Sequence, residues 1–206
     1  CFIYVAVSPC EQSARTWEDN RAMKLITPTL EQLPSYIDAL ERGFAPGTVN
    51  PVRVRQVALE RIALDPALYV SQLTDPEALG PDIELPNGEV VRRLPGMSKW
   101  MWDDRFIGMI NIRWQHGTNA LPPHVLGHIG YAVAEWEQRK GYATSALAQM
   151  LDIARSIGLT SVEITTTPAN VSSQKVILNN GGVLEYEGAA PETQGGDPHL
   201  VYRIHL

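Results

Sequence analysis

Cysteine is scarce in this sequence of 206 residues. The two cysteines, Cys1 and Cys10, lie near the N-terminus without a CxxC spacing or a distant partner. A disulfide framework and a thiolate metal site are therefore not expected, because each needs several suitably spaced cysteines. The same scarcity fits a reducing compartment, and we expect a cytoplasmic protein.

Long hydrophobic runs are also missing. No window approaches the ~18–20 consecutive apolar residues of a membrane-spanning helix, and the apolar start Phe2–Val7 lacks the basic flank and length of a signal peptide. With 44% hydrophobic residues, 19% charged residues and a mean hydropathy of -0.13, the composition is that of a globular chain with a real core. We expect a soluble protein without a membrane partner.

An excess of positive charge is the third absence. Lys and Arg number 17 against 23 Asp and Glu, which gives a net charge of -6 and disfavours nucleic acid as a partner. The sequence contains neither GxxxxGK[ST] nor GxGxxG, so a nucleoside-triphosphate loop and a dinucleotide-binding fold are not expected.

The chain is expected to hold one domain. Residues 1–22 keep neither helical nor strand periodicity, whereas Lys24–Thr27 reads as a clean strand. We therefore predict an N-terminal extension over residues 1–22 outside the core and a domain over residues 23–206. The alternative is that Phe2–Val7 packs as an additional edge strand.

Helices and strands then follow in a mixed pattern. Thr29 and Gln32 form the capping-box pattern of a first helix that runs through Leu40, and a second helical pattern reaches Leu64 and is interrupted at Pro66. The stretch from there to Pro86 is expected to be an irregular connection. Alternating or apolar runs predict an antiparallel meander and two closing strands: Glu89–Leu94, Lys99–Asp103, Phe106–Gln115, Val183–Tyr186 and His199–Ile204.

A strand–helix–strand unit occupies the middle of the chain. Gly127–Ala134 predicts a strand, Tyr142–Ile157 has helical apolar spacing, and Ser161–Thr166 predicts a second strand. Two strands joined by such a helix are expected to be parallel. A short helix over Asn170–Leu178 follows.

The loop Glu135–Gly141 leads into the N-terminus of that central helix. Free N–H groups and the helix dipole attract anions there, and Gly141 would allow a phosphate to approach the backbone. Arg139 and Lys140 add two positive charges. The alternative is an ordinary turn that carries a solvated basic pair.

These residues resemble a known family. The segment Gln138–Ala143, QRKGYA, is similar to the Q/R-x-x-G-x-G/A loop of the GNAT superfamily of acetyl-CoA-dependent N-acyltransferases. The preceding GHIGYAV strand, together with Asn170, Ser173 and the NGG ending at Gly182, resembles the neighbouring elements of that family. The resemblance covers the chain from about Met23 to its end and is closest to a branch of bacterial predicted acetyltransferases.

The resemblance implies an α/β fold with a mixed, mostly antiparallel central sheet of about six to seven strands, a splayed parallel strand pair and flanking helices. It implies acetyl-CoA as the co-substrate, without a metal. The residues implied to bind it are Tyr131, Ala132 and Val133 along the pantetheine arm, Gln138, Arg139, Lys140, Gly141, Tyr142, Ala143 and Thr144 around the pyrophosphate, and Asn170 and Ser173 from the far side.

The implied reaction is direct attack of a substrate amine on the acetyl thioester. A backbone N–H near Val133 would stabilise the oxyanion. His128 is the candidate general base, with packing as its alternative role, and Glu135 and Glu137 are reserves that otherwise read as solvated loop charges. The place where family members carry a tyrosine that protonates the CoA thiolate is Ile177 here, which leaves the general acid unassigned among Tyr142, Tyr186 and water.

The acceptor is expected to be a small-molecule or peptide amine, bound by a monomer or a homodimer. Trp100 and Trp102 share a strand face and either form an aromatic pocket for a cationic amine or pack in the core. Arg113 lies on an otherwise apolar strand and either binds a substrate carboxylate or forms a structural ion pair. The first two helices and the loop Ala189–Pro198 should wall the acceptor side. The missing tyrosine also leaves open a non-catalytic, acyl-CoA-binding sensor of the same fold.

Overall fold

The structure is a computed structural model of the chain. It describes residues 23–47, 50–85, 88–189, 196 and 198–206. The predicted extension over residues 1–22, with its alternative strand, lies outside the described residues. Most of the loop expected to wall the acceptor side, residues 190–195 and 197, also lies outside them.

The described chain contains five helices and ten strands. The elements are β1 Lys24–Ile26, α1 Leu33–Glu41, α2 Pro51–Leu64, α3 Pro66–Ser71, β2 Thr74–Asp75, β3 Ile83–Glu84, β4 Val90–Val91, β5 Gly96–Trp102, β6 Phe106–Arg113, β7 Ile129–Val133, α4 Tyr142–Ser156, β8 Ser161–Thr166, α5 Val171–Asn179, β9 Val183–Ala189 and β10 Pro198–His205. A 3₁₀ turn at Glu135–Glu137 stands between β7 and α4.

The strands form two main sheets. In the first, β5, β6 and β7 are consecutive antiparallel neighbours. Both β1 and β2 pair with β5 along the edge that faces away from β6. In the second, the last strand β10 lies between β8 and β9 and is antiparallel to both. The short strands β3 and β4 pair only with each other. Of the predicted meander, the antiparallel pairing of Lys99–Asp103 with Phe106–Gln115 is confirmed as β5 and β6. Its predicted first strand, Glu89–Leu94, does not join this sheet.

The fold class predicted from the sequence is confirmed as a mixed α/β fold with antiparallel sheets and flanking helices. One feature differs from the expectation of a single central sheet. No ladder joins β7 to β8, so the strands lie in two sheets, with β7 at the edge of the first and β8 at the edge of the second.

Two hydrophobic cores lie on opposite faces of the first sheet. One face packs against α4, whose Leu147 and Met150 are fully buried together with Ile110 of β6. The other face packs against α1, α2 and α3, where Tyr36 stacks on Trp100 with ring centroids 4.9 Å apart. Side chains alternate between the two faces along each strand, so neighbouring residues of β7 reach different cores.

The first helix does not begin as predicted, and the capping box was wrong. The cap residue Gln32 makes no side-chain hydrogen bond to the helix backbone, and the Thr29 hydroxyl binds the Gln32 side chain instead. Pro34 lies in the first turn, where its fixed φ favours helix initiation without a capping side chain.

The connection after α2 is more ordered than the sequence indicated. Asp65 accepts a hydrogen bond from the Leu68 N–H at 2.9 Å and so caps α3, which begins at Pro66 itself. Of the predicted strand Glu89–Leu94, only Val90–Val91 pairs as a strand. Within the described ranges, none of the helices is long and apolar enough to span a bilayer.

Candidate functional site

One edge of β7 carries backbone groups that no strand pairs. The Arg113 N–H donates to the His128 carbonyl and the Ala134 N–H to the Ile107 carbonyl, both at 2.9 Å, so the even-numbered residues of this segment face β6. In an antiparallel pair, the intervening residues turn their N–H and C=O groups away from the partner strand. Tyr131 and Val133 therefore present backbone donors and acceptors on the far side, where no ladder of the described chain covers them.

The start of β7 is fastened to β8. The His128 N–H donates to the Glu163 carbonyl at 2.6 Å, and the Glu163 N–H donates to Nδ1 of the His128 ring at 2.9 Å. Gly127 makes this approach possible, because its φ is +75° and a Cβ on it would lie 3.0 Å from the Glu163 carbonyl oxygen. The two strands are thus tied at one end, and the rest of β7 keeps an open edge.

The loop after β7 ends in a left-handed turn. Arg139 and Gly141 have φ values of 63° and 81°, and Gly141 is the cap of α4 without any side-chain hydrogen bond to the helix. The first N–H groups of α4 therefore remain available to an anion, together with the positive end of the helix dipole. The Gln138 side chain donates to the Val133 carbonyl at 3.3 Å and ties the loop back to the strand.

A buried carboxylate organises the same loop. Glu137 is only 4% exposed and forms ion pairs with Arg105 at 3.0 Å and Lys140 at 2.8 Å. Burial alone would raise the pKa of Glu137, but the hydrogen bonds from the two cations outweigh it and hold the pKa below its usual range. The expectation that Glu137 is a solvated charge was wrong, because Arg105, distant in sequence, supplies its partner. The Lys140 ammonium binds Glu137 instead of pointing only into solvent.

The N-terminus of α5 faces β7. The Asn170 side chain accepts from the Ser173 N–H at 3.0 Å and so caps α5. The Tyr131 hydroxyl lies 2.8 Å from Ser173 Oγ, and the fully buried Ile177 is one helical turn further along the same face. The side chain of Asn180 donates to the Thr144 carbonyl at 3.2 Å, which connects the end of α5 to the start of α4.

His128 is almost fully enclosed, with 1% of its surface exposed. Its Nδ1 accepts from a backbone N–H, so the neutral ring carries its proton on Nε2, an atom that is buried without a partner among the described residues. Burial lowers the pKa of His128 to about 4, and the cations of Arg203 and Arg113 act in the same direction. The only lone pair of the neutral ring is thus already engaged.

The acceptor-side candidates fall in different places. Trp100 is fully buried under α1, which corresponds to the core-packing alternative, and Trp102 packs half-buried beside the same cluster. The Tyr142 ring is buried, and its hydroxyl donates to Asp103 at 3.3 Å. Arg113 lies half-buried on the face of the sheet opposite α4. In the described part of the chain, no three His, Cys, Asp or Glu side chains cluster as a metal site would require.

Sequence reasoning missed three side chains at this site. They are the phenol of Tyr131, the guanidinium of Arg105 and the amide of Asn111. Tyr131 and Arg105 acquire their places through contacts over long sequence separation, with Ser173 and Glu137 respectively. Spacing along the chain holds no signal for such contacts.

Residues 87–183 match the family model of the acetyltransferase (GNAT) domain. This part of the chain is therefore similar to the GNAT acetyltransferase domain, and the resemblance stated from the sequence is confirmed. Acetyl transfer is the class of reaction that the family carries. Among curated proteins, none matches the chain.

Solved structures support the same fold at low sequence identity. RimL, an alpha-N-protein acetyltransferase in complex with coenzyme A, is 14% identical with a TM-score of 0.58 and covers 89% of this chain and 94% of its own. RimJ of Mycobacterium smegmatis, in complex with a CoA disulfide, is 21% identical with a TM-score of 0.57 and covers 89% and 81%. MccE, a microcin self-immunity acetyltransferase in complex with acetyl-CoA and AMP, is 15% identical with a TM-score of 0.56 and covers 89% and 92%.

Proposed function

We propose that this protein transfers an acetyl group from acetyl-CoA to a primary amine by direct attack. The observation that carries the proposal is the open edge of β7, which ends at an uncapped helix N-terminus. The ligand that matches this arrangement is an extended amide chain linked to a pyrophosphate. The open strand edge can pair with the amides, and the helix N-terminus that follows it can bind the pyrophosphate. RimL, RimJ and MccE are solved with CoA or acetyl-CoA, which supports the same ligand here.

In this proposal the pantetheine arm pairs with the outward backbone groups of Tyr131 and runs past Ala132 to Val133, whose N–H is left for the thioester. The pyrophosphate binds the N–H groups of the turn and of the first helical turn, with Arg139 nearby. These donors belong to Gln138, Arg139, Lys140, Gly141, Tyr142, Ala143 and Thr144. Asn170 and Ser173 border the same ligand from the end of α5.

The amine nitrogen attacks the thioester carbonyl and forms the new C–N bond, while the oxyanion accepts a hydrogen bond from the Val133 N–H. Collapse of the oxyanion breaks the C–S bond and returns the electron pair to sulfur, and the nitrogen, now cationic, releases its second proton to solvent to give the neutral amide. An amine with a pKa near ~10 must first lose a proton at neutral pH. The base role of His128 stays a prediction, and its engaged Nδ1 and its low pKa favour water as the first proton acceptor.

The sulfur also needs a proton, and Tyr131 is our assignment for its donor. Its hydroxyl lies beside Ser173, one turn before the place where the family carries its tyrosine and on the same helix face. Burial raises the pKa of the Tyr131 phenol, and the hydrogen bond with Ser173 only partly offsets this, so the hydroxyl stays protonated at neutral pH. Ser173 can relay a replacement proton from solvent.

The alternative function is a sensor that binds acyl-CoA without turnover, which the absent tyrosine at Ile177 suggested. A phenol supplied by Tyr131 removes the main reason for that reading. The proposed acceptor is a small-molecule or peptide amine. The proposed localisation is the cytoplasm. The name of RimL describes alpha-N-protein acetylation, which keeps peptide amines among the acceptors to be tested.

The deciding experiment incubates the full chain with acetyl-CoA and a panel of amines. We expect each CoA released to be matched by one acetyl group on an amine product. Thiol titration measures the CoA, and mass spectrometry measures the acetylated amine. Saturable binding of acetyl-CoA with no turnover of any small or peptide amine would favour the sensor.

A further inference from the structure

We propose that the acceptor carries a carboxylate and that Arg113, assisted by Asn111, binds it on the face of the sheet opposite α4. This inference rests on the proposed function and names the class of acceptor for the same site. Arg113 ends β6, and its N–H donates to the carbonyl of His128, the residue just before β7.

The guanidinium of Arg113 lacks a protein partner. Within the described ranges it forms no ion pair or hydrogen bond, whereas Arg105 is paired with Glu137 and Arg203 with both Glu163 and Glu185. Burial lowers the pKa of Arg113. A half-buried, unpaired guanidinium is costly unless an anion completes it.

Arg113 lies in the wall of a cleft of about 350 Å³. Its charged lining side chains are Arg92, Arg93, Arg113 and one carboxylate, Asp75. That carboxylate is already engaged, because it accepts from the N–H groups of Leu79 and Gly80 at 2.8 and 2.9 Å and lies near Arg93. The cleft is therefore positive in a chain whose net charge is -6, and it favours an anionic group.

Asn111 and Arg113 meet over the backbone of β7. A Cβ on Gly130 would lie 3.3 Å from Asn111 Oδ1 and 3.7 Å from both Asn111 Nδ2 and Arg113 Nη2. Glycine at this position leaves room for both side chains above the strand. A planar carboxylate matches the parallel N–H donors of a guanidinium, and an amide N–H can bind its second lone pair.

This placement also limits the length of the acceptor. Gly130 and Val133 are separated by ~10 Å along the strand, at ~3.3 Å per residue. A carboxylate at Arg113 and an amine at the thioester near Val133 must therefore be several bonds apart. A dipeptide has such a spacing between its termini, whereas an α-amino acid does not.

The test compares glycylglycine with glycylglycinamide, which differ in the terminal charge. We expect wild-type protein to acetylate the amine of glycylglycine with a kcat/KM about 10-fold higher or more than that of glycylglycinamide, the size of a hydrogen-bonded charge pair. In Arg113→Gln this preference should fall to within about 2-fold, while the rise in thermal midpoint with acetyl-CoA stays unchanged. Arg155→Gln, an exposed arginine on α4, is the matched control and should keep the preference.

Equal use of the two acceptors by wild type, or a preference that survives in Arg113→Gln, would overturn the inference. A stronger preference for O-phosphoethanolamine would assign the cleft to phosphate and overturn it as well. If Arg113→Gln fails to fold, Arg113→Lys keeps the charge without the forked donors and should retain only part of the preference.

The proposed function and this inference can fail separately. No thermal shift and no turnover with acetyl-CoA would remove both, whereas turnover without discrimination would remove only the carboxylate assignment. If acetyl-CoA binds and no amine is turned over, the carboxylate assignment is tested by the thermal midpoint of the CoA-bound protein with each dipeptide added. Glycylglycine should raise that midpoint and glycylglycinamide should not, and the absence of a difference counts against the inference.

Discussion

His128 and Glu163 bind each other in both directions: the His128 N–H donates to the Glu163 carbonyl at 2.6 Å, and the Glu163 N–H donates to the His128 ring at 2.9 Å. A side chain thus takes the hydrogen bond that a backbone carbonyl would take in a continuous ladder. The pair fixes the point from which β7 and β8 separate. The shape of the expected thioester slot therefore depends on this contact.

Removal of the His128 ring should destabilise the fold. In His128→Ala the buried Glu163 N–H loses its partner and a cavity forms, and we expect the free energy of unfolding to fall by about 2–4 kcal/mol. His128→Asn keeps an acceptor oxygen near the ring position and should recover part of the loss. Urea unfolding at pH 7 measures both variants.

The pH dependence of stability carries a second signature of the same residue. The pKa of about 4 in the folded chain lies below the ordinary value of 6.5, so between these pH values the unfolded chain takes up a proton that the folded chain does not. The stability that the neutral His128 ring contributes is present above pH ~6.5, and the free energy of unfolding falls by roughly 2–3 kcal/mol as the pH drops towards 4. His128→Asn should lack this component. If His128→Asn instead keeps normal stability and acetyl-CoA affinity but loses turnover by 10²- to 10⁴-fold, the result would support the general-base role of His128.

Tyr131→Phe tests the assigned proton donor. We expect kcat to fall by about 10²-fold while the affinity for acetyl-CoA stays nearly unchanged, because only the hydroxyl is removed. Tyr186→Phe, which changes a 51% exposed ring on β9, is the matched control and should keep full activity. An unchanged kcat in Tyr131→Phe would assign protonation of the thiolate to water.

The central part of the site was predictable from the sequence because its signals are local. The apolar spacing of α4, the turn at Gly141 and the Asn170 cap lie within a few residues of the elements they define. The division of the sheet was not predictable, since it depends on His128 reaching Glu163 across the crossover. The burial of Glu137 was missed for the same reason, and the capping-box pattern at Thr29 failed because Pro34 initiates α1 without it.

Glu137→Gln should loosen the loop before α4. The neutral amide cannot hold Arg105 and Lys140 as ion pairs, and we expect a loss of about 1–3 kcal/mol in unfolding free energy at pH 7 with weaker acetyl-CoA binding. Because the folded-state pKa of Glu137 is depressed, this contribution is present above pH ~4.3 and is lost as the pH falls through the folded pKa. The two proteins should therefore converge in stability in acid. Glu135→Gln, on the exposed side of the same turn, should change little, and an equal effect of both variants would argue against the ion-pair cluster.

The boundary of the domain is also testable. Met23 is 2% exposed, and its carbonyl accepts from the Gln149 side chain of α4 at 3.3 Å, so the core is already engaged at this residue. Deletion of residues 1–22 should leave the thermal midpoint and acetyl-CoA binding intact. A truncated chain that is insoluble or melts much lower would show that the leader supplies part of the core.

The central claim is that acetyl-CoA binds along β7 with its pyrophosphate at the turn before α4, and a pair of glycine variants tests it most directly. Gly141 and Gly158 have φ values of 81° and 89° at the two ends of α4, so valine strains the backbone similarly at each. We predict that acetyl-CoA raises the thermal midpoint of wild type and of Gly158→Val, and that Gly141→Val loses this shift because its Cβ substituents obstruct the phosphate. An undiminished shift in folded Gly141→Val would contradict the account.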